Sequence, residues 1–166
     1  DMLDVSRITS GKLSIRREAV DLTSLVRRVA DDLGPYAATT GSVLEVMAFE
    51  PIQGFWDAFR VEQIVVNLIS NAVRYGQGQP VEISLAHTQN SAVIEVRDHG
   101  IGINARDQER IFDAFERVMH QDRTGGLGLG LFITKQLVDA HGGAITLQSQ
   151  PGNGALFSVT LPLAGS

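Results

Sequence analysis

Apolar residues recur at helical spacing in three stretches of the chain. Leu22, Leu25, Val26, Val29, Ala30 and Leu33 share one face, with Asp21 placed to cap the helix they predict over residues 22–33. Gly34-Pro35 stands where that helix should stop or bend. Val61, Ile64, Val65, Leu68, Ile69 and Ala72 predict a second helix over about 57–75, capped by Asp57 and ended by Gly76-Gln-Gly78-Gln-Pro80. Leu129, Phe132, Ile133, Gln136, Leu137 and Ala140 predict a third over about 129–141, terminated by Gly142-Gly143. Near the start, Met2 to Ile8 are mildly apolar at the same spacing, and Ser10-Gly11-Lys12 reads as a helix stop.

Other segments alternate. Residues 13–20 look extended, residues 42–49 favour a strand, and residues 51–54 read as a turn. Val81, Ile83 and Leu85 form one alternating set and Val93, Ile94 and Val96 another, with Asn90-Ser91 between them as a hairpin turn. Residues 144–149 and 155–163 close the chain as a hairpin around Pro151-Gly-Asn-Gly154. Residues 99–126 carry glycine and charge with one short apolar run, Ile111 to Phe115, and are long enough to suggest a lid. These elements predict an α+β fold: a two-layer sandwich with a mixed β-sheet and its helices on one face.

Composition narrows the function. The 166 residues suffice for one domain with a core, and 43% hydrophobic with 20% charged residues is ordinary for a globular protein. A net charge of −5 argues against an extended nucleic-acid surface, so any anion site must be local. With no cysteine there is no disulfide and no thiolate metal site. No apolar run reaches membrane-spanning length. The chain opens inside a helical pattern and reads as a piece of a longer protein, cytoplasmic itself, whose parent is free to carry a membrane anchor upstream.

Three motifs carry chemistry. On the second predicted helix, Asn67, Asn71 and Arg74 fall on one stripe beside the apolar face. An amide at that half-buried edge needs a partner; its oxygen suits Mg²⁺, and it serves equally to cap a nearby loop. Asp98 follows a strand and precedes Gly100 and Gly102. A carboxylate there can accept from the exocyclic amine of adenine and would repel guanine, or it can make an Asp turn. Gly125-Gly126-Leu127-Gly128-Leu129-Gly130-Leu131 opens the third helix, where backbone N–H groups can converge on an anion, or where a hinge can sit. It is neither a P-loop nor a dinucleotide fingerprint, because no Gly-Lys-Ser/Thr follows and no strand precedes it. In this order the three describe one pocket for ATP.

The combination resembles the catalytic, ATP-binding domain of bacterial sensor histidine kinases, of the Bergerat type shared with gyrase, mismatch-repair and heat-shock chaperone ATPases. Gln63-x3-Asn67-Leu-x2-Asn71-Ala-x-Arg74-Tyr75 matches the N box, Asp98-x-Gly100-x-Gly102 the G1 box, Ile111-Phe112-Asp-Ala-Phe115-Glu-Arg117 the F box, and Gly126-x-Gly128-Leu-Gly130-Leu131 the G2 box. Gly152-Asn-Gly154 followed by Phe157 looks like the closing glycine turn, and residues 1–12 look like the end of a dimerisation and phosphotransfer helix, leaving 13–166 as the ATP-binding domain. The resemblance implies ATP and Mg²⁺ as cofactors, with Asn71 as metal ligand and Asn67 assisting. It implies adenine on Asp98, Tyr75 near the base, and Arg74 and Arg117 on the phosphates. Gly126, Leu127, Gly128, Leu129, Gly130 and Leu131 would line the phosphate turn, with Gly100 and Gly102 beside the base. The implied partners are the phosphotransfer domain of a homodimeric parent and the receiver domain of a response regulator; the fragment itself can stand as a monomer.

His99 departs from the Asn found in many relatives. None of His87, His99, His120 and His141 precedes the motifs or has an acidic residue after it, so no phosphoacceptor lies in this chain and all four are read as structural or surface groups. At the end of the third helix, a charge on His141 would be favourable. Three other readings compete: a hydrolytic ATPase or switch, a serine kinase of the anti-sigma type, and a non-catalytic nucleotide-binding interaction module. Where the related ATPases carry a Glu base for water, this chain has Asn67, which predicts weak intrinsic hydrolysis.

Overall fold

The computed structural model describes residues 14–48, 50–113 and 130–163. Its elements run β1 (Glu18–Asp21), α1 (Leu22–Thr39), β2 (Leu44–Met47), β3 (Gln53–Trp56), α2 (Ala58–Tyr75), β4 (Val81–His87), β5 (Ser91–Asp98), α3 (Ala105–Gln108), α4 (Gly130–Ala140), β6 (Ala144–Ser149) and β7 (Ala155–Pro162). Five strands form one sheet in the order β2-β4-β5-β7-β6. Only the β2–β4 pair in that sheet is parallel, so it is mixed, as expected. Helices α1, α2 and α4 pack on one face of it.

Strand alternation decides which face that is. Val81, Ile83 and Leu85 of β4, Ala92, Ile94 and Val96 of β5, and Phe157, Val159 and Leu161 of β7 are all buried, while Glu82, Ser84, Glu95 and Ser158 between them keep partial access to solvent. On the helical side, Val61, Ile64, Val65, Leu68, Ile69 and Ala72 of α2 meet them, so α2 is the central helix of the layer. Both capping aspartates act as the sequence predicts. Asp21 accepts from the Ser24 N–H and Asp57 from the Arg60 N–H.

Two expectations need correction. Helix α1 does not stop at Gly34-Pro35 but continues to Thr39. A residue preceding proline is normally driven out of the helical region by a clash between its Cβ and the proline ring. Gly34 has no Cβ, so the helix passes through at the cost of one backbone hydrogen bond. Nor is Gly54 part of a turn. It lies in β3, which pairs antiparallel with β1 in a separate two-stranded sheet. A side chain at Gly54 would enter the ring of Trp56, whose indole N–H donates to the Pro162 carbonyl at 2.7 Å. The short helix α3, capped by Asn104, lies inside the stretch taken as a lid, and residues 114–126 of that stretch are outside the described residues. Among the described residues no helix is long and apolar enough to cross a membrane.

His141 joins the end of α4 to the start of α2. The Asp57 backbone N–H donates to its Nε2 at 3.1 Å, and its Nδ1 lies 2.8 Å from the Leu137 carbonyl. A carbonyl only accepts, so the proton is on Nδ1 and the ring is neutral. The charge expected to favour this helix end is absent because the imidazole is 3% exposed, and burial, with Arg17 nearby, pulls its pKa below the usual value against the opposing effects of Leu137 and Asp57.

The unfolded chain therefore protonates His141 first as the pH falls. Its contribution to stability is complete above the unfolded value of 6.5 and is lost below it, toward the folded pKa. Denaturant unfolding followed between about pH 7.5 and about pH 5.5 should show a stability loss that is shallower in His141→Gln than in the wild type. Exposed His87, shifted upward by its hydrogen bond to Glu50, acts in the opposite sense and is left in place in both proteins.

Candidate functional site

A cavity opens beside the C-terminal half of α2, lined by Asn71, Tyr75, Asp98, Ile101, Gly102, Ile103, Leu131 and Ala155. Three of the sequence motifs meet here: the amide helix supplies Asn71 and Tyr75, the strand-end turn supplies Asp98 and Gly102, and the glycine-rich run supplies Leu131.

Asp98 ends β5 and is 3% exposed. Burial pushes its carboxyl above the ordinary carboxylate range, while the backbone N–H groups of Gly100 and Ala155 and the nearby charges of His99 and Arg97 hold it down. Its Oδ1 accepts from the Gly100 N–H at 2.9 Å. The Asp turn and the wall of the pocket are thus one structure, so the two readings of this motif do not exclude each other.

The glycines around Asp98 answer to the protein's own backbone. A Cβ at Gly100 would run into the Tyr75 carbonyl at the end of α2, and one at Gly102 into the Gln150 carbonyl. Gly154, at φ +71°, approaches the Asp98 carbonyl just as closely. Backbone bonds close the set: the Ile101 N–H donates to Tyr75 at 3.3 Å, Gly152 to Ile101 at 2.8 Å and Gly154 to Gly100 at 3.0 Å. Gly100 itself lies outside the lining of the cavity. Ser149 and Gln108 extend the frame. The Ile103 N–H donates to Ser149 Oγ at 2.8 Å, and the Gln108 amide donates to the carbonyls of Ile103 and Ser149.

Asn67 lies one turn before Asn71 and faces α4. Its Nδ2 donates to the Gly130 carbonyl at 3.3 Å and to Thr134 Oγ at 3.2 Å. Arg74 is exposed at the last turn of α2 and does not line the cavity. Arg117, Gly126, Leu127, Gly128 and Leu129 lie outside the described residues, as does His120; Gly130 starts α4. Of the F box, Ile111 is buried and Phe112 meets Phe157 edge to face at 6.2 Å. His99 pairs with Glu82 at 2.7 Å on the outer face of the sheet.

Sequence reasoning missed Ile101, Ile103 and Ala155 in the lining. The two isoleucines were legible as the apolar members of the strand-end turn. Ala155 was not, because it reaches the site through its register opposite Asp98 on the neighbouring strand. Among the described residues no group of three or more His, Cys, Asp or Glu could hold a metal ion. A cation at this cavity would be held by amide oxygen and by the ligand's own oxygens, which fits a hard ion such as Mg²⁺.

A family model for histidine kinase-, DNA gyrase B- and HSP90-like ATPases matches residues 56–165. The sensor histidine kinase MtrB of Mycobacterium leprae is 36% identical over 98% of this chain. The signal transduction histidine-protein kinase BarA of Escherichia coli K12 is 34% identical over 95% of it. The chain spans 30% and 18% of those two relatives. In three dimensions it matches full-length ShkA in complex with AMPPNP at TM-score 0.85 and 29% identity, covering 99% of this chain and 35% of that one. It matches the mycobacterial sensor histidine kinase MprB at 0.77 and 28%, covering 91% and 100%. The chain belongs to the family of histidine kinase-, DNA gyrase B- and HSP90-like ATPases and is a homologue of the catalytic domains of sensor histidine kinases.

Proposed function

We propose that this domain binds Mg–ATP in the cavity beside α2 and delivers the γ-phosphoryl group to a histidine on a dimerisation and phosphotransfer domain of its parent protein, for relay to a response regulator. Residues 1–12 are read as the end of that phosphotransfer unit, this domain as cytoplasmic, and the parent as a homodimer. The observation that carries the reading is the buried carboxylate of Asp98 in the same cavity wall as Asn71 and Tyr75.

Each residue has a task. Asp98 accepts from the 6-amino group of adenine, where guanine presents a carbonyl oxygen. Tyr75 and the isoleucines at 101 and 103 pack against the base. Asn71 offers its amide oxygen to the metal, assisted by Asn67; when bound, Mg²⁺ neutralises phosphate charge as transfer proceeds. Arg74, Arg117 and the glycine-rich run 126–131 hold the remaining phosphate oxygens. The acceptor imidazole nitrogen bonds to the γ-phosphorus as the bridging oxygen leaves with ADP. Asn67 has no basic oxygen to activate water, which favours kinase over hydrolase.

Asp98→Asn keeps an acceptor for the Gly100 N–H but presents no carboxylate to adenine. It should weaken ATP binding by about tenfold or more while thermal unfolding stays close to that of the wild type; equal affinity of the two proteins in calorimetry would remove Asp98 from the adenine site. Incubation of the domain with ATP and a separately prepared phosphotransfer domain should yield phosphohistidine, and Asn71→Ala should reduce the yield by about a hundredfold. Release of inorganic phosphate at an unchanged rate without the acceptor would instead favour the hydrolase.

A further inference from the structure

Thr134 belongs to none of the motifs, yet it is a fully buried polar residue, 0% exposed on the face of α4 turned toward α2. Its hydroxyl proton is committed, since Oγ donates to the Gly130 carbonyl one turn earlier at 2.7 Å. What Thr134 offers a neighbour is therefore only a lone pair. The Gly130 carbonyl likewise only accepts. Both groups lie within reach of the Asn67 amide, at 3.2 Å and 3.3 Å.

Two acceptors side by side leave Asn67 one favourable orientation. Its NH₂ must face α4 and its carbonyl oxygen must turn away. The flipped amide would set oxygen against oxygen at the Gly130 carbonyl and leave the NH₂ without these two partners. Gly130 is also the last glycine of the run that opens α4, and its neighbour Leu131 lines the cavity. The three groups thus fasten the entry of α4 to the amide stripe of α2.

We propose that Thr134 is a positioning residue for the metal–nucleotide site, acting through Asn67. It fixes which end of the Asn67 amide is available for the assisting role beside Asn71, and it holds the first turn of α4 in place. This rests on the reading of the cavity as a Mg–ATP site.

The test measures the affinity of the 166-residue chain for a fluorescent ATP analogue, with Mg²⁺ and with EDTA, in wild type, Thr134→Val and Thr134→Ser. Thr134→Val preserves shape and removes the lone pair. It should reduce the Mg²⁺-dependent gain in affinity by about three- to tenfold, the effect of one lost hydrogen bond, and leave the affinity in EDTA unchanged. Thr134→Ser keeps the hydroxyl and should restore the gain. In an Asn67→Ala background, Thr134→Val should add nothing further. Equal gains in wild type and Thr134→Val, or an equal loss with and without the metal, would overturn the inference while leaving ATP binding intact. A wild-type chain that binds no nucleotide would remove both this inference and the reading beneath it.

Thr134→Ser also guards against misfolding: if Thr134→Val fails to give a cooperative melt, a Ser variant that folds yet lacks the metal-dependent gain would count against the hydroxyl as the agent.

Discussion

The site depends on how closely the backbone of residues 98–102 is wedged between two other segments. On one side the carbonyl of Tyr75 at the end of α2 touches the position where Gly100 would carry a side chain; on the other, residues 150–154 press against Gly102 and the Asp98 carbonyl. Three backbone hydrogen bonds run across these contacts. An aspartate at a strand end would ordinarily turn to solvent. Here the wedge holds it buried, and its two N–H partners make that burial tolerable. The carboxylate that selects the base under the proposed function is thus a product of main-chain packing between segments far apart in sequence.

This explains which parts of the molecule were legible in the sequence. Helix α2 was, because its six apolar positions repeat at helical spacing and its cap is a single local aspartate. The β4–β5 and β6–β7 hairpins were, since each is one alternation turned back on itself. Strand β3 was not. Its pairing with β1 joins segments more than thirty residues apart, and the Pro51-to-Gly54 stretch carries a local turn signature that this distant pairing overrides. The extension of α1 was hidden by the same rule that usually ends helices, since the missing Cβ of Gly34 suspends it.

The candidate site divides in the same way. Asn71, Tyr75, Asp98 and Gly102 were nominated from local motifs and converge on one cavity. The reason given for Gly100 differed: the sequence suggests room for a base, whereas the fold needs room for the carbonyl of Tyr75. Ala155 and Thr134 were beyond local reading, because the first enters by strand register and the second by a helix–helix contact.

The contacts around Asp57 have a mechanical consequence. The Arg16 N–H reaches the Asp57 carboxylate, and the Phe55 N–H reaches the Leu163 carbonyl, so residues near 16 and near 163 both meet at the N-terminal tip of α2. Asn71 is fourteen positions along that helix, about 20 Å away. Any tether acting through those segments grips the domain at the far end of a stiff rod from the cavity. A modest swivel at the grip then carries the cavity through a wide arc while its internal geometry stays unchanged.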